Sequence, residues 1–222
     1  MNILPLNKYS YSFPDPFYAC DEGVLAYGGD LSTTRLITAY TKGIFPWYNK
    51  TDPILWWSPN PRLILDLDEF KLSKSLRKTI SKNIFEIKFD TNFEQVMIEC
   101  SKINREGQKG TWILPEIIEA YVKLHEMKFA HSFEAYYNGE LVGGGYGINI
   151  GNIFCGESMF SKKNDASKVA LYYLVQRLKE KGFTLIDCQI PTLHLESLGA
   201  KKIPRNVFLN LVAKSKENPK DF

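Results

Sequence analysis

The chain has 222 residues, 44% hydrophobic and 24% charged, enough for a small domain joined to a larger one around an apolar core. No apolar run approaches the ~18 residues of a membrane span, and the opening MNILPLNKYSYSFPDP lacks the basic-then-apolar order of a secretory signal. A soluble cytoplasmic protein is expected. The net charge of +3 permits an anionic partner without demanding one.

In chain order, GGDLSTTRLITAYTKG predicts a helix capped by Asp30 or Ser32 and stopped at Gly43, with Leu36, Ile37 and Tyr40 on one face. The segment IFPWYNKTDPILWWSPNPR sets Pro46, Pro53, Pro59 and Pro61 among Trp47, Tyr48, Trp56 and Trp57, which no single regular element tolerates. A domain boundary is placed near its end, giving a small N-terminal domain over 1–62 and a larger one over 63–222. FKLSKSLRKTISK predicts a helix rich in Lys71, Lys74, Arg77, Lys78 and Lys82, most simply a solvated face. NFEQVMIECSKI predicts a third helix, and PEIIEAYVKLHEMK a fourth with Pro115 at its first position.

HSFEAYYNGELVGGGYGINIGNIFCGESMFS then reads as three strands, with a hairpin turn at Asn138-Gly139 and a second turn in 149–152. The period changes in NDASKVALYYLVQRLKEKG, a helix capped by Asn164 or Asp165 and stopped at Gly182. FTLIDCQIP follows as a short strand. The class is therefore α+β: this meander, helix and strand order is the core layout of the GCN5-related N-acyltransferase fold, which by itself establishes no chemistry.

Chemistry concentrates in the last strands. Alternation puts Leu185, Asp187 and Gln189 on one face and Ile186, Cys188 and Ile190 on the other, with Asp187 and Gln189 about 7 Å apart. Glu157 interrupts the apolar run FCGESMF, and a carboxylate buried there requires a partner. A satisfied network that fixes strand register is the plain reading of any one of these residues. Three together around one helix point to a site. Cys20, Cys100, Cys155 and Cys188 show no CxxC spacing, and His125, His131 and His194 no ligand spacing, so core thiols and no metal or cofactor are expected. Without a Ser/His/Asp arrangement, the nucleophile must arrive with the substrate, as in aminolysis of an activated ester. Gln189 suits orientation of the attacking amine better than proton removal. The turn SKKNDASK, where this fold cradles the pyrophosphate of acyl-CoA, contains no glycine, which argues for another activated acyl donor.

Read together, LAYGGDLSTTRLITAYTKGIFPWY, DPILWWSPNPR, GTWILPEIIEAYVKLHE, FCGESMFSKKNDASKVAL and LIDCQIPTLHLESLGA closely resemble the leucyl/phenylalanyl-tRNA protein transferase family, from about residue 20 to 210. The resemblance implies transfer of Leu or Phe, with Met left open, from aminoacyl-tRNA to an N-terminal Arg or Lys, marking proteins for bacterial degradation by the N-end rule. It implies Asp187, Gln189 and Glu157 as catalytic residues, and Trp47 and Trp112 as contacts of the terminal adenosine by stacking. Phe154, Met159, Leu174, Leu178 and Ile186 match the aminoacyl pocket, although alternation assigns Phe154 and Ile186 to the face opposite Glu157 and Asp187. A bulge at Gly156 would reconcile the two. The pocket's shape would exclude side chains branched at Cβ.

The same resemblance turns Lys74, Arg77, Lys78 and Lys82 into an acceptor-stem phosphate patch, with Ser81 standing where a lysine can occur and Lys201, Lys202 and Arg205 as a further extension. Gly145, where a methionine can occur, would widen the pocket, and Leu174 replaces an aromatic. The tail KSKENPKDF is expected to fray. No exposed apolar periodicity demands a second copy, so a monomer is expected. Two rival readings stand beside this one, an acyl-CoA-dependent N-acyltransferase and a non-catalytic RNA-binding module.

Overall fold

A computed structural model describes residues 3–103 and 110–222. In chain order its strands are β1 (Leu4–Leu6), β2 (Val24–Gly28), β3 (Phe45–Pro46), β4 (Leu55–Trp57), β5 (Arg62–Asp66), β6 (Glu86–Phe89), β7 (Ala130–Tyr137), β8 (Glu140–Ile150), β9 (Ile153–Ser161), β10 (Leu185–Gln189) and β11 (Lys201–Ile203). Its helices are α1 (Thr33–Tyr40), α2 (Lys74–Ser81), α3 (Phe93–Ser101), α4 (Pro115–Glu126), α5 (Ala166–Glu180), α6 (Leu193–Ser197) and α7 (Arg205–Ser215). Strands β1, β2, β4 and β3 form a small sheet, and the order β11-β5-β10-β9-β8-β7-β6 a large one. The chain passes from one to the other between Trp57 and Arg62.

The predicted meander is present as β7, β8 and β9. Its first turn uses Asn138 and Gly139, both at positive φ (52° and 81°), the geometry that matches the right-handed twist of the flanking strands. The second turn tightens to Gly151-Asn152, where φ is +62° at Gly151 and a Cβ would run into the Ser215 carbonyl at the end of α7. Helix α5 then crosses over so that β10 pairs parallel to β9, a parallel pairing that needs a crossover connection of this length. Consecutive residues feed opposite layers of the core. Ile153, Cys155 and Leu185 join the cluster with α1, α3, α4 and α7, whereas Phe154 and Ile186 join the cluster under α2 and α5. The fold is thus the α+β, acyltransferase-like arrangement expected from the sequence.

Caps differ in detail. Ser32 precedes α1 but makes no side-chain cap bond; Asp30 instead accepts the Ser32 N–H at 2.9 Å and pairs with buried Arg35. Asp165 precedes α5 at φ 65° without capping it, its carboxylate taken by Thr79 of α2 and Lys168.

The segment after α7 does not fray. The Lys220 N–H donates to the Gly151 carbonyl at 2.9 Å, Asn149 Nδ2 donates to the Lys220 carbonyl at 2.7 Å, and the Phe222 ring is packed among other rings. A polar composition concealed one aromatic anchor and two hydrogen bonds to the Lys220 backbone, one from its own N–H and one from the Asn149 side chain, each of which offsets ordering entropy. Strands β1 to β6 and β11 and helices α6 and α7 have no counterpart among the predicted elements.

Candidate active site

Two irregularities build the site. In the β8–β9 ladder Tyr146 opposes Ser158 and Gly147 opposes Gly156, so Glu157 is the extra residue of a bulge. That is one residue beyond Gly156, and the bulge re-aims the side chain as such insertions do. In β10 the register slips between Asp187 and Gln189, and Gln189 sits at φ 62°, a left-handed conformation uncommon for a residue with a Cβ. Asp187 Oδ1 accepts the Gln189 N–H at 3.0 Å and holds that conformation. Parallel pairing of β9 with β10 ends at the Asp187–Cys155 pair. Beyond it a cavity of about 580 Å³ opens, lined from both strands.

The conflict between faces is settled by this geometry. Ile186, Cys188, Gln189 and Ile190 all reach the cavity, as do Phe154, Glu157 and Met159. Leu174 lines it from α5; Leu178, one turn further along, is fully buried in the core cluster behind and does not. Helical periodicity cannot separate a pocket wall from the core one turn away. Trp47 and Trp112 line the same cavity. The Trp57 indole donates to the Trp47 carbonyl at 2.5 Å and its ring lies 5.0 Å from that of Trp47. Gly145 does not widen the pocket, because a Cβ there would lie 2.6 Å from Phe133 Cζ and 2.7 Å from Met159 Cγ, side chains that already fill the space.

Glu157 is compensated by hydroxyls and an amide rather than by a cation. Its Oε1 accepts from Tyr40 at 2.8 Å and from Gln189 Nε2 at 2.7 Å, while Oε2 lies 3.5 Å from the Tyr121 hydroxyl. The Tyr40 and Tyr121 hydroxyls are 2.5 Å apart. Burial pushes the Glu157 carboxyl up to about 7, against the opposing hydrogen bonds from Tyr40 and Gln189. Burial and the neighbouring carboxylate together raise both tyrosines well above their usual range, so they remain hydrogen-bond donors. Asp187 is placed differently. It is fully buried, its Oδ1 and Oδ2 receiving Arg62 Nε at 2.8 Å and Nη2 at 2.6 Å, and it does not line the cavity.

The Cys155 and Cys188 thiols are pushed up by burial and by Asp187, which disfavours the thiolate form a nucleophile needs. Among the described residues, no three His, Cys, Asp or Glu side chains gather to hold a metal ion, and no helix is long and apolar enough to cross a membrane. Lys74, Arg77, Lys78 and Lys82 are exposed along α2, and among the described residues none is in an ion pair. Lys201 and Lys202 are paired with Glu69 and Glu196, and Arg205 donates to the Pro16 carbonyl; the extension of the patch is largely occupied within the chain.

Tyr40, Tyr121 and Arg62 are among the site's neighbours that pattern reasoning did not assign to it, as are the cavity-lining Phe133, Leu171 and His194. The available signal was the need of a buried Tyr hydroxyl for a partner on an otherwise apolar helix face.

A meander, crossover helix and splayed parallel strand form an acyltransferase-like fold, with an amide–carboxylate pair beside an apolar cleft as its candidate active site. The family model for the leucyl/phenylalanyl-tRNA protein transferase matches residues 64–213, and that for its N-terminal domain residues 29–60. A relative in Sulfurimonas denitrificans, named leucyl/phenylalanyl-tRNA–protein transferase, is 56% identical over 97% of this chain and 94% of its own. Relatives of the same name in Syntrophobacter fumaroxidans (51% identity, 91% of this chain, 87% of its own) and Flavobacterium johnsoniae (50%, 91% and 98%) agree. The chain belongs to the leucyl/phenylalanyl-tRNA protein transferase family, an aminoacyltransferase family.

Proposed function

We propose that this chain transfers Leu or Phe from aminoacyl-tRNA to the N-terminal Arg or Lys of acceptor proteins, using Gln189 and Glu157 at the reacting centre. The observation that carries this is the meeting of those two side chains at 2.7 Å on the wall of an apolar cleft that Trp47 and Trp112 also line. The Leu or Phe side chain occupies the part of the cleft lined by Phe154, Met159, Leu174 and Ile186, and the terminal adenosine stacks on the tryptophans. With Nε2 engaged by Glu157, the Gln189 Oε1 is free to accept an N–H of the attacking α-amine and hold it against the ester carbonyl. The new C–N bond forms as the ester C–O bond breaks; the amine's proton passes to Glu157 in its ionised form, and Glu157 returns that proton to the departing ribose oxygen, which regenerates the carboxylate. Asp187 acts at one remove, by fixing Gln189 and neutralising Arg62. The two units over 1–62 and 63–222 then divide the work, with Tyr40 of the first reaching Glu157 of the second. The transfer fits a cytoplasmic monomer that marks proteins for degradation.

The acyl-CoA reading is disfavoured by a carboxylate where the pyrophosphate would sit. Asp165 stands at the start of α5, fixed by Lys168 and Thr79, and it opposes an anion at that helix end.

Radiolabelled Leu-tRNA or Phe-tRNA mixed with the protein and a peptide beginning with Arg is expected to label the peptide, with no transfer to a matched peptide beginning with Asp and none by Gln189→Ala. Tight, salt-sensitive tRNA binding without any transfer would make the chain a binding module instead. The four free cations of α2 supply a second test. Replacing Lys74, Arg77, Lys78 and Lys82 together with Ala is expected to reduce the slope of log affinity against log salt by about 3, while kcat at saturating donor stays unchanged. An unchanged slope would remove α2 from the tRNA path.

A further inference from the structure

The segment that follows α7 has no part in the proposed chemistry, yet it braces a wall of the pocket. The Phe222 ring stacks on His131 (centroids 4.2 Å apart, 20° between planes) and on Phe154 (5.6 Å, 26°), with the Arg177 guanidinium 5.0 Å from its centre. Its neighbours are themselves fixed. His131 Nδ1 lies 2.8 Å from Asp90 Oδ2 and Nε2 lies 3.1 Å from the Lys128 carbonyl, while Lys220 is tied by its backbone to Gly151 and Asn149.

Phe154 is the connection to the site, since it is fully buried, lines the cavity and touches Phe222. It is also confined by Gly147, where a Cβ would overlap the Phe154 ring. On the side away from the cavity the Phe222 ring already fills the space, so the Phe154 ring cannot retreat from the pocket. We infer that Phe222 is a positioning residue that sets the depth of the side-chain pocket through Phe154, and so the enzyme's preference between Phe and Leu. The inference rests on the proposed transfer. Removing the Phe222 ring leaves a space into which Phe154 retreats, deepening the pocket and favouring the larger donor side chain.

The test compares kcat/KM for purified Phe-tRNA and Leu-tRNA with one Arg peptide. Phe222→Ala is expected to raise the Phe-to-Leu ratio at least about threefold, a size typical of one altered apolar contact in a pocket. Phe222→Leu, which keeps apolar bulk should the alanine variant fail to fold, should move the ratio in the same direction by less, and Phe222→Tyr should restore it. A purely structural role would lower both donors equally, so an unchanged ratio in a folded variant overturns the inference. A wild-type protein that transfers neither donor would overturn the proposed function itself, and this inference with it.

Discussion

Asp187→Ala is expected to abolish transfer and to remove about 3–5 kcal/mol of unfolding free energy, because it strands a buried cation. Arg62 is 1% exposed and Asp187 not at all. The guanidinium cannot swing to water, since Phe45 and Phe208 flank it at 4.8 and 4.4 Å and its Nη1 donates to the Gly43 carbonyl at 3.3 Å. Those contacts join the first helix region, the β5–β10 pair and α7 at one point. Replacing both partners, Arg62→Met with Asp187→Leu, is expected to recover much of the stability because no unpaired charge remains. It should not recover transfer, since the Gln189 N–H would still lack its acceptor and the left-handed backbone would relax. Urea unfolding of wild type, single and double variants, read beside the transfer assay, separates the two effects. Wild-type stability in Asp187→Ala, or transfer by the double variant, would refute the positioning role.

The extent to which this was legible in the sequence follows from the range of each interaction. The meander, α5 and β10 depend on periodicity, capping residues and the Asn138-Gly139 turn, all of which are local signals. The site's residue types were legible for the same reason, as polar side chains in apolar strands. Their division of labour was not, because it depends on two register slips. Strict alternation makes Asp187 and Gln189 equivalent neighbours on one face, whereas the slip sends one into the core against Arg62 and the other into the cleft. Partners far apart in sequence were equally hidden: Tyr40 and Tyr121 meet Glu157 only after α1 and α4 pack together. Phe222 shows the opposite failure, where a polar composition outweighed a single ring that tertiary packing made decisive.

Glu157→Gln is expected to trade activity for stability in a pH-dependent way. The folded protein raises this carboxyl from 4.5 to about 7, so it binds the proton more tightly than the unfolded chain does. Stability therefore falls as pH rises from 4.5 through about 7, and above that the full penalty, of order 3 kcal/mol, is present. An amide of the same shape carries no such penalty. Its side-chain oxygen can keep the Tyr40 and Gln189 donors while its NH2 takes the place of Oε2 beside the Tyr121 hydroxyl, which can accept. The variant should thus gain stability relative to wild type between about pH 5 and about pH 8. For the reaction the sign reverses. Wild-type kcat/KM should rise with pH through about 7 as the ionised proton acceptor forms, whereas the variant should be slower by about 10²–10⁴ and lose that inflection. Chemical unfolding at the two pH values and a pH–rate profile of transfer measure both consequences. A stability difference that stays constant with pH would show that Glu157 is not held in this raised state, and a retained inflection in the variant would move the titrating group elsewhere.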